Sequence, residues 1–177
     1  MTQFQHTLRQ LLTGQKTETS RIVKEGQEYA GALPHAIPLV YQWDKNINYT
    51  RTVWQVGKDY AIQPGRGVKS VGRYRVETIW RQDVRTLTLG QVEAEGFNSL
   101  WIGFWEVWCK MHDAPAVADM QHIRALTGSH LDAKKILMER PAERYQAWRM
   151  TISVLWETVD WSAPAVAALQ IPERQLY

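Results

Sequence analysis

The segment Gly14-Gln15-Lys16-Thr17-Glu18-Thr19-Ser20-Arg21 gathers an ammonium, several hydroxyls and a guanidinium into one short stretch. Lys16 follows residues that read as a helix, and the partial negative charge of a helix C-terminus favours a cation there. A carboxylate such as Glu95 nearby would favour it further, so Lys16 is expected as an ammonium suited to holding a phosphate or a developing oxyanion. Action as a neutral nucleophile would require burial to lower its pKa by several units from about 10.4, against both effects. Thr19 and Arg21 lie two apart on a predicted strand and therefore share a face, which turns a hydroxyl and a forked donor to one cleft. Glu95, if partly desolvated, can shuttle a proton to or from a leaving amine.

A second concentration of chemistry is electrostatic. Between Lys45 and Arg85 there are nine Lys or Arg against three acids, while the rest of the chain is net acidic and the whole carries +3. A basic region on an otherwise acidic chain suits an anionic partner, nucleic acid above all. Gln63-Pro64-Gly65-Arg66-Gly67 must turn, and it presents Arg66, Lys69 and Arg73 with Tyr60 and Tyr74 close by in sequence. Such a tip could grip a phosphate backbone and stack a base. The alternative is a solvated basic face. Metal and cofactor sites are not expected: the histidines at 6, 35, 112, 122 and 130 never fall four apart. Gly67 to Tyr74 mimics the glycine spacing of a phosphate loop but lacks its Lys-Ser/Thr pair.

The elements that must position these groups are legible in the apolar periodicity. Phe4, Leu8, Leu11 and Leu12 form one helical face that stops at Gly14. Thr19 to Val23, Ile37 to Trp43 and Thr52 to Gln63 read as strands, with an irregular connection from Gly26 to Pro38. In Gly72 to Trp80, Tyr74, Val76 and Thr78 alternate with charged residues, which predicts a half-buried strand. Thr88 to Glu95 reads as a helix, and Asn98 or Ser99 can cap another bearing Leu100, Phe104, Val107 and Trp108. Helices are also expected over Pro115 to Thr127 and Leu131 to Arg140, then a strand from Trp148 to Trp156 and a short helix between Pro164 and Pro172. The tryptophans at 101, 105, 108, 148 and 156 are expected in the core. The fold class is α+β, with too few strand-helix-strand repeats for a doubly wound sheet.

Gly14, Lys16, Thr19 and Arg21 resemble the Gly-x-Lys-x-x-(Glu/Thr)-x-Arg signature of the ASCH group. The order of later elements is similar too, with a strand entry at Gly72-Arg73 and an acidic helix ending in Glu95-Gly96-Phe97. The resemblance spans roughly Phe4 to His112, with Trp148 to Trp156 as a final strand. It implies a small PUA-like β-barrel of about five to six strands with flanking helices and a helical C-terminal elaboration. Residues 1–160 then form a single domain, 113–141 a helical insertion before the last strand, and 161–177 a tail. Similar small bacterial proteins are amidohydrolases of acetylcytidine, whose Lys, Thr and Glu correspond to Lys16, Thr19 and Glu95. Others look like RNA binders or metal-independent ribonucleases.

The leading expectation is an RNA-binding protein, with ribonuclease activity as its catalytic form, in which Lys16 and Arg21 hold phosphate. Tyr60, Arg66, Lys69 and Arg73 extend the grip. An amidohydrolase of a modified nucleoside, with Lys16, Thr19 and Glu95 as its catalytic set, is the alternative, and a non-catalytic interaction module a third. For Lys16 and Glu95 a structural ion pair at the barrel mouth stays open beside the catalytic role. Cys109 stands alone, so no internal disulfide forms, and a reducing cytoplasm is the expected setting. The opening residues lack the plan of a signal peptide, and no apolar run approaches the roughly 20 residues of a membrane helix.

Overall fold

In the last long strand, Trp148, Met150 and Ile152 alternate with Ala147, Arg149 and Thr151, and the first set faces one core while Ala147 faces another. Two cores on one strand mean a sheet covered on both sides. The computed structural model describes residues 7–31, 37–44, 49–97 and 101–171. They begin with α1 (Leu8–Leu12), β1 (Glu18–Ile22), β2 (Gln27–Ala30), β3 (Leu39–Asp44), β4 (Tyr49–Gln55), β5 (Asp59–Ile62) and β6 (Gly72–Asp83). There follow α2 (Leu89–Ala94), α3 (Trp101–His112), α4 (Ala114–Thr127), α5 (His130–Glu139), β7 (Gln146–Leu155) and α6 (Pro164–Ala167).

The described strands form two antiparallel sheets, a four-stranded one in the order β1-β7-β6-β5 and a three-stranded one in the order β2-β3-β4. The α+β class is therefore as expected, but the strands do not close into a barrel. β1 and β4 each end a sheet. One face of the larger sheet packs Tyr74, Val76, Ile79, Trp148, Met150 and Ile152 with the α1 leucines and, from the smaller sheet, Val40 and Trp54. Its other face packs Ala147 and Ile22 against Val92, Phe104, Trp105, Trp108, Met120 and Leu137 of α2 to α5.

Several sequence expectations are corrected. The stretch Gly26 to Pro38, expected as irregular, contains β2, whose Gln27 to Ala30 pair with β3. Thr52 to Gln63, expected as one strand, is split into β4 and β5 by a turn in which Gly57 takes φ +78°. Thr78 was expected beside Tyr74 and Val76, yet a bulge between Val76 and Thr78 inverts the alternation, so Ile79 is buried and Thr78 exposed. Trp156 is exposed rather than in the core, lying parallel to Trp161. Trp105, Trp108 and Trp148 are buried as expected, and Trp101 is half-buried on Trp105. Phe4, Asn98, Ser99 and Leu100 lie outside the described residues. Among those described, no helix is long and apolar enough to cross a membrane.

Trp105 sits at the centre of the helical core with its indole N–H on the Val84 carbonyl. Replacing it with alanine is expected to lower stability by about 3–5 kcal/mol through lost burial and the cavity left behind. Urea unfolding followed by circular dichroism measures the change.

Candidate functional site

The turn after α1 is stitched to its neighbours by backbone bonds before any side chain acts. The Lys16 N–H donates to the Gln10 carbonyl at 2.9 Å, the Thr17 N–H to the Ala94 carbonyl at 2.9 Å, and the Ile152 N–H to the Thr17 carbonyl at 2.8 Å. One segment thus ties α1, the end of α2 and β7 together. α2 starts in a capping box between Thr88 and Gln91 and ends at Glu95 and Gly96. Gly96 has φ +88°, and a Cβ there would lie 3.0 Å from the Cβ of Gln10 and 3.3 Å from those of Lys16 and Thr7. The absent side chain lets the end of α2 settle onto Lys16.

Lys16 and Glu95 are only 4% and 3% exposed. The Lys16 ammonium donates to the Glu95 backbone carbonyl at 2.7 Å and to Glu95 Oε2 at 2.8 Å. The other carboxylate oxygen, Oε1, accepts a short hydrogen bond from the Ser20 hydroxyl and lies 3.8 Å from Arg149 Nη1. Arg149 is fully buried, pairs with Glu18 and stands over the Trp80 ring at 5.5 Å. Burial brings its guanidinium down to a pKa of about 10. For Lys16 burial is the largest influence and outweighs the attraction of Glu95, and Arg21 and Arg149 act in the same direction as burial. The pKa of Lys16 is therefore lowered, whereas the sequence reading had the helix end and the carboxylate prevailing. The correction follows from the depth of burial, which helix position alone does not disclose.

A cleft of about 440 Å³ runs along the open edge of β1. Ser20, Arg21 and Ile22 line it from β1, Lys24 from the following turn, Arg51 to Trp54 from β4, and Met111 and His112 from the end of α3. Gln27 and Gln42 complete its walls. Among the described residues no carboxylate lines it. Burial lowers the pKa of His112, and the nearby cations Arg21 and Lys24 act in the same direction. Burial likewise lowers Arg21.

Lys16 and Glu95 thus meet, and Arg21 reaches the cleft. Thr19 does not join them. Along β1 it is paired with Met150 and buried toward the inter-sheet core, while its neighbour Ser20, paired with Arg149, turns to Glu95. Tyr60 is half-buried between the rings of Trp54 and Tyr74, at 5.1 and 5.8 Å, and Tyr74 is fully buried, so neither offers the open face expected of a stacking platform. Arg66 and Lys69 are exposed on the turn before β6, and exposed Arg73 donates to the Asp59 carbonyl. None of Tyr60, Arg66, Lys69 and Arg73 lines the cleft. Sequence reasoning missed Ser20, Arg149, Lys24, Arg51 and His112. Ser20 lay in the quoted segment, and Arg149 stood out as a cation midway along an apolar strand.

Among the described residues no group of three or more His, Cys, Asp or Glu is placed to hold a metal ion. Cys109 is buried, with its thiol pushed up to about 11 by desolvation. No family model, curated protein or solved structure matches the chain.

In Glu95→Gln the influences left on Lys16 by burial, Arg21 and Arg149 all lower its pKa. Stability at neutral pH is expected to fall by about 3–5 kcal/mol, the cost of leaving one buried charge without its partner. Because the folded chain then binds the Lys16 proton more weakly than the unfolded chain, the loss should shrink as pH rises from the lowered pKa toward the unfolded value of 10.5. Urea unfolding across that range checks the slope, and adding Lys16→Met should recover most of the loss.

Proposed function

We propose that the protein binds RNA in the cleft at the β1 edge, and that the chain is an ASCH protein whose two sheets are a PUA-like barrel opened between β1 and β4. The observation that carries the reading is the cleft wall: Arg21, Lys24 and Arg51 line about 440 Å³ with no carboxylate among the described lining residues. That volume lies in the range of ordinary ligand pockets, and three cations along one cleft suit the phosphodiester backbone better than a neutral solute. Gln27 and Gln42 add amide donors and acceptors that can meet sugar or base edges. The meeting of Lys16 with Glu95 behind Ser20 supports the ASCH resemblance, since these are two of the three positions the resemblance implies. Cleavage of the bound RNA without a metal is the catalytic form of this reading, and a cytoplasm its setting.

The exposed turn with Arg66 and Lys69, together with Arg73, is a separate basic surface along which a longer strand could continue. α4 and α5 pack on each other and, through α3, on the helical core, so in this reading residues 113–141 thicken the domain.

A second reading rests on the Glu95 carboxylate, which accepts from both Lys16 and Ser20. A carboxylate so held beside a cleft-lining hydroxyl supports an amidohydrolase of a modified nucleoside, with Ser20 standing where Thr19 was expected. Conversion of acetylcytidine to cytidine by the native chain, lost in Lys16→Ala and Glu95→Ala, is its expected result, and absence of turnover removes it.

For the RNA reading, fluorescence anisotropy with a mixed-sequence RNA should show affinity falling steeply as salt rises, because each neutralised phosphate releases counterions. Lys24→Ala and Arg51→Ala should each reduce the slope of log K against log salt by about 1. Absent or salt-insensitive binding at low ionic strength would refute the reading.

A further inference from the structure

His112 ends α3 on the wall of the same cleft as Arg21, Lys24 and Arg51, and nothing in the binding reading uses it. Its ring packs on Trp108 of its own helix, with centroids 4.6 Å apart. The described groups that line the cleft with it carry positive charge or none: Arg21 and Ser20 from β1, Lys24 from the turn beyond, Arg51 from β4. The adjacent carboxylate, Asp113, is buried and engaged by Tyr145 and Arg144. Among the described cleft-lining residues there is no carboxylate to hold a proton on this imidazole, and burial and the neighbouring cations favour its neutral form. A neutral imidazole beside a phosphate-binding trio is the arrangement a general base needs, since it can accept a proton at ordinary pH while the cations hold the anion.

We propose that His112 is the general base of a metal-independent RNA cleavage in this cleft, with Arg21, Lys24 and Arg51 holding the phosphodiester. The inference rests on the RNA-binding reading. His112 takes the proton of a ribose 2′-hydroxyl, and the 2′ oxygen forms a bond to the adjacent phosphorus. The bond from that phosphorus to the 5′ oxygen breaks, and the departing oxygen takes a proton from water. The imidazolium then returns its proton to solvent. The products are a 2′,3′-cyclic phosphate and a 5′-hydroxyl, with no oxidant, metal or net water consumed. The guanidinium and ammonium groups offset the negative charge that develops on the phosphoryl oxygens.

The test uses the full chain with excess chelator and two labelled oligonucleotides, one all-deoxy and one with a single ribonucleotide. Binding is read by anisotropy and products by gel and mass spectrometry. The native chain should cut the second oligonucleotide only at the ribonucleotide and leave a cyclic phosphate. His112→Ala and His112→Gln, checked for native thermal unfolding, should keep RNA affinity yet lose cleavage by at least about 100-fold. Because the His112 pKa is lowered from 6.5, the native rate should climb through a pH below that value and then level, and the residual rate of either variant should lack this rise. Cleavage at the native rate by either folded variant overturns the proposal, as does cutting of the all-deoxy strand. Binding without cleavage by the native chain also overturns it and leaves the binding reading intact, whereas failure to bind sinks both.

Discussion

The buried contact between Lys16 and Glu95 is the constraint on which the site depends. Two opposite charges removed from water are costly unless each finds its partner in good geometry, so this pair fixes the distance between the α1–β1 turn and the end of α2. Gly96 permits the approach, and the Lys16 and Thr17 backbone bonds hold the turn in place while the side chains meet. Ser20 joins this arrangement by donating to Glu95 Oε1 while Oε2 accepts from Lys16. The pair is better understood as the foundation of the cleft wall than as the surface a ligand touches, because neither member lines the cleft.

A sheet covered on both faces explains the unusual burial of polar groups beside this pair. In a half-solvated sheet the residues alternating with Trp148, Met150 and Ile152 would reach water. Here the helices α2 to α5 close over that side, so Arg149 has to find Glu18, Glu95 and the Trp80 ring within the protein. Arg85 meets the same demand farther along by pairing with Asp83 and donating to the carbonyls of Leu137 and Arg140. Cations in this layer fasten helices to the sheet.

Much of this framework was legible in the residues. The Leu8, Leu11 and Leu12 stripe, the helix starting near Thr88, the helix ending at Thr127 and the alternation of β7 each act locally, and local rules read them. The approach of Lys16 to Glu95, separated by 79 residues, became readable only through the family-like pattern around Gly14. What stayed hidden depends on packing at a distance. The bulge after Val76 inverts a face without any Gly or Pro to announce it, and it exposes Thr78. Thr19 and Ser20 are equally plausible hydroxyls in sequence, and only the pairing with Met150 and Arg149 decides which one meets the carboxylate. His112 and Arg51 are far apart in the chain and meet across the cleft because two sheet edges and a helix end converge.

The open edges also account for the character of the cleft. An unpaired strand edge invites pairing with other chains, and proteins blunt such edges with charge. β1 and β4 end their sheets, and the cleft between them is walled by Arg21, Lys24 and Arg51. Positive side chains at these places discourage association of one edge with another by repulsion, and the same charges give the groove a positive potential. Protection of the edge and the positive character of the groove thus follow from one electrostatic arrangement.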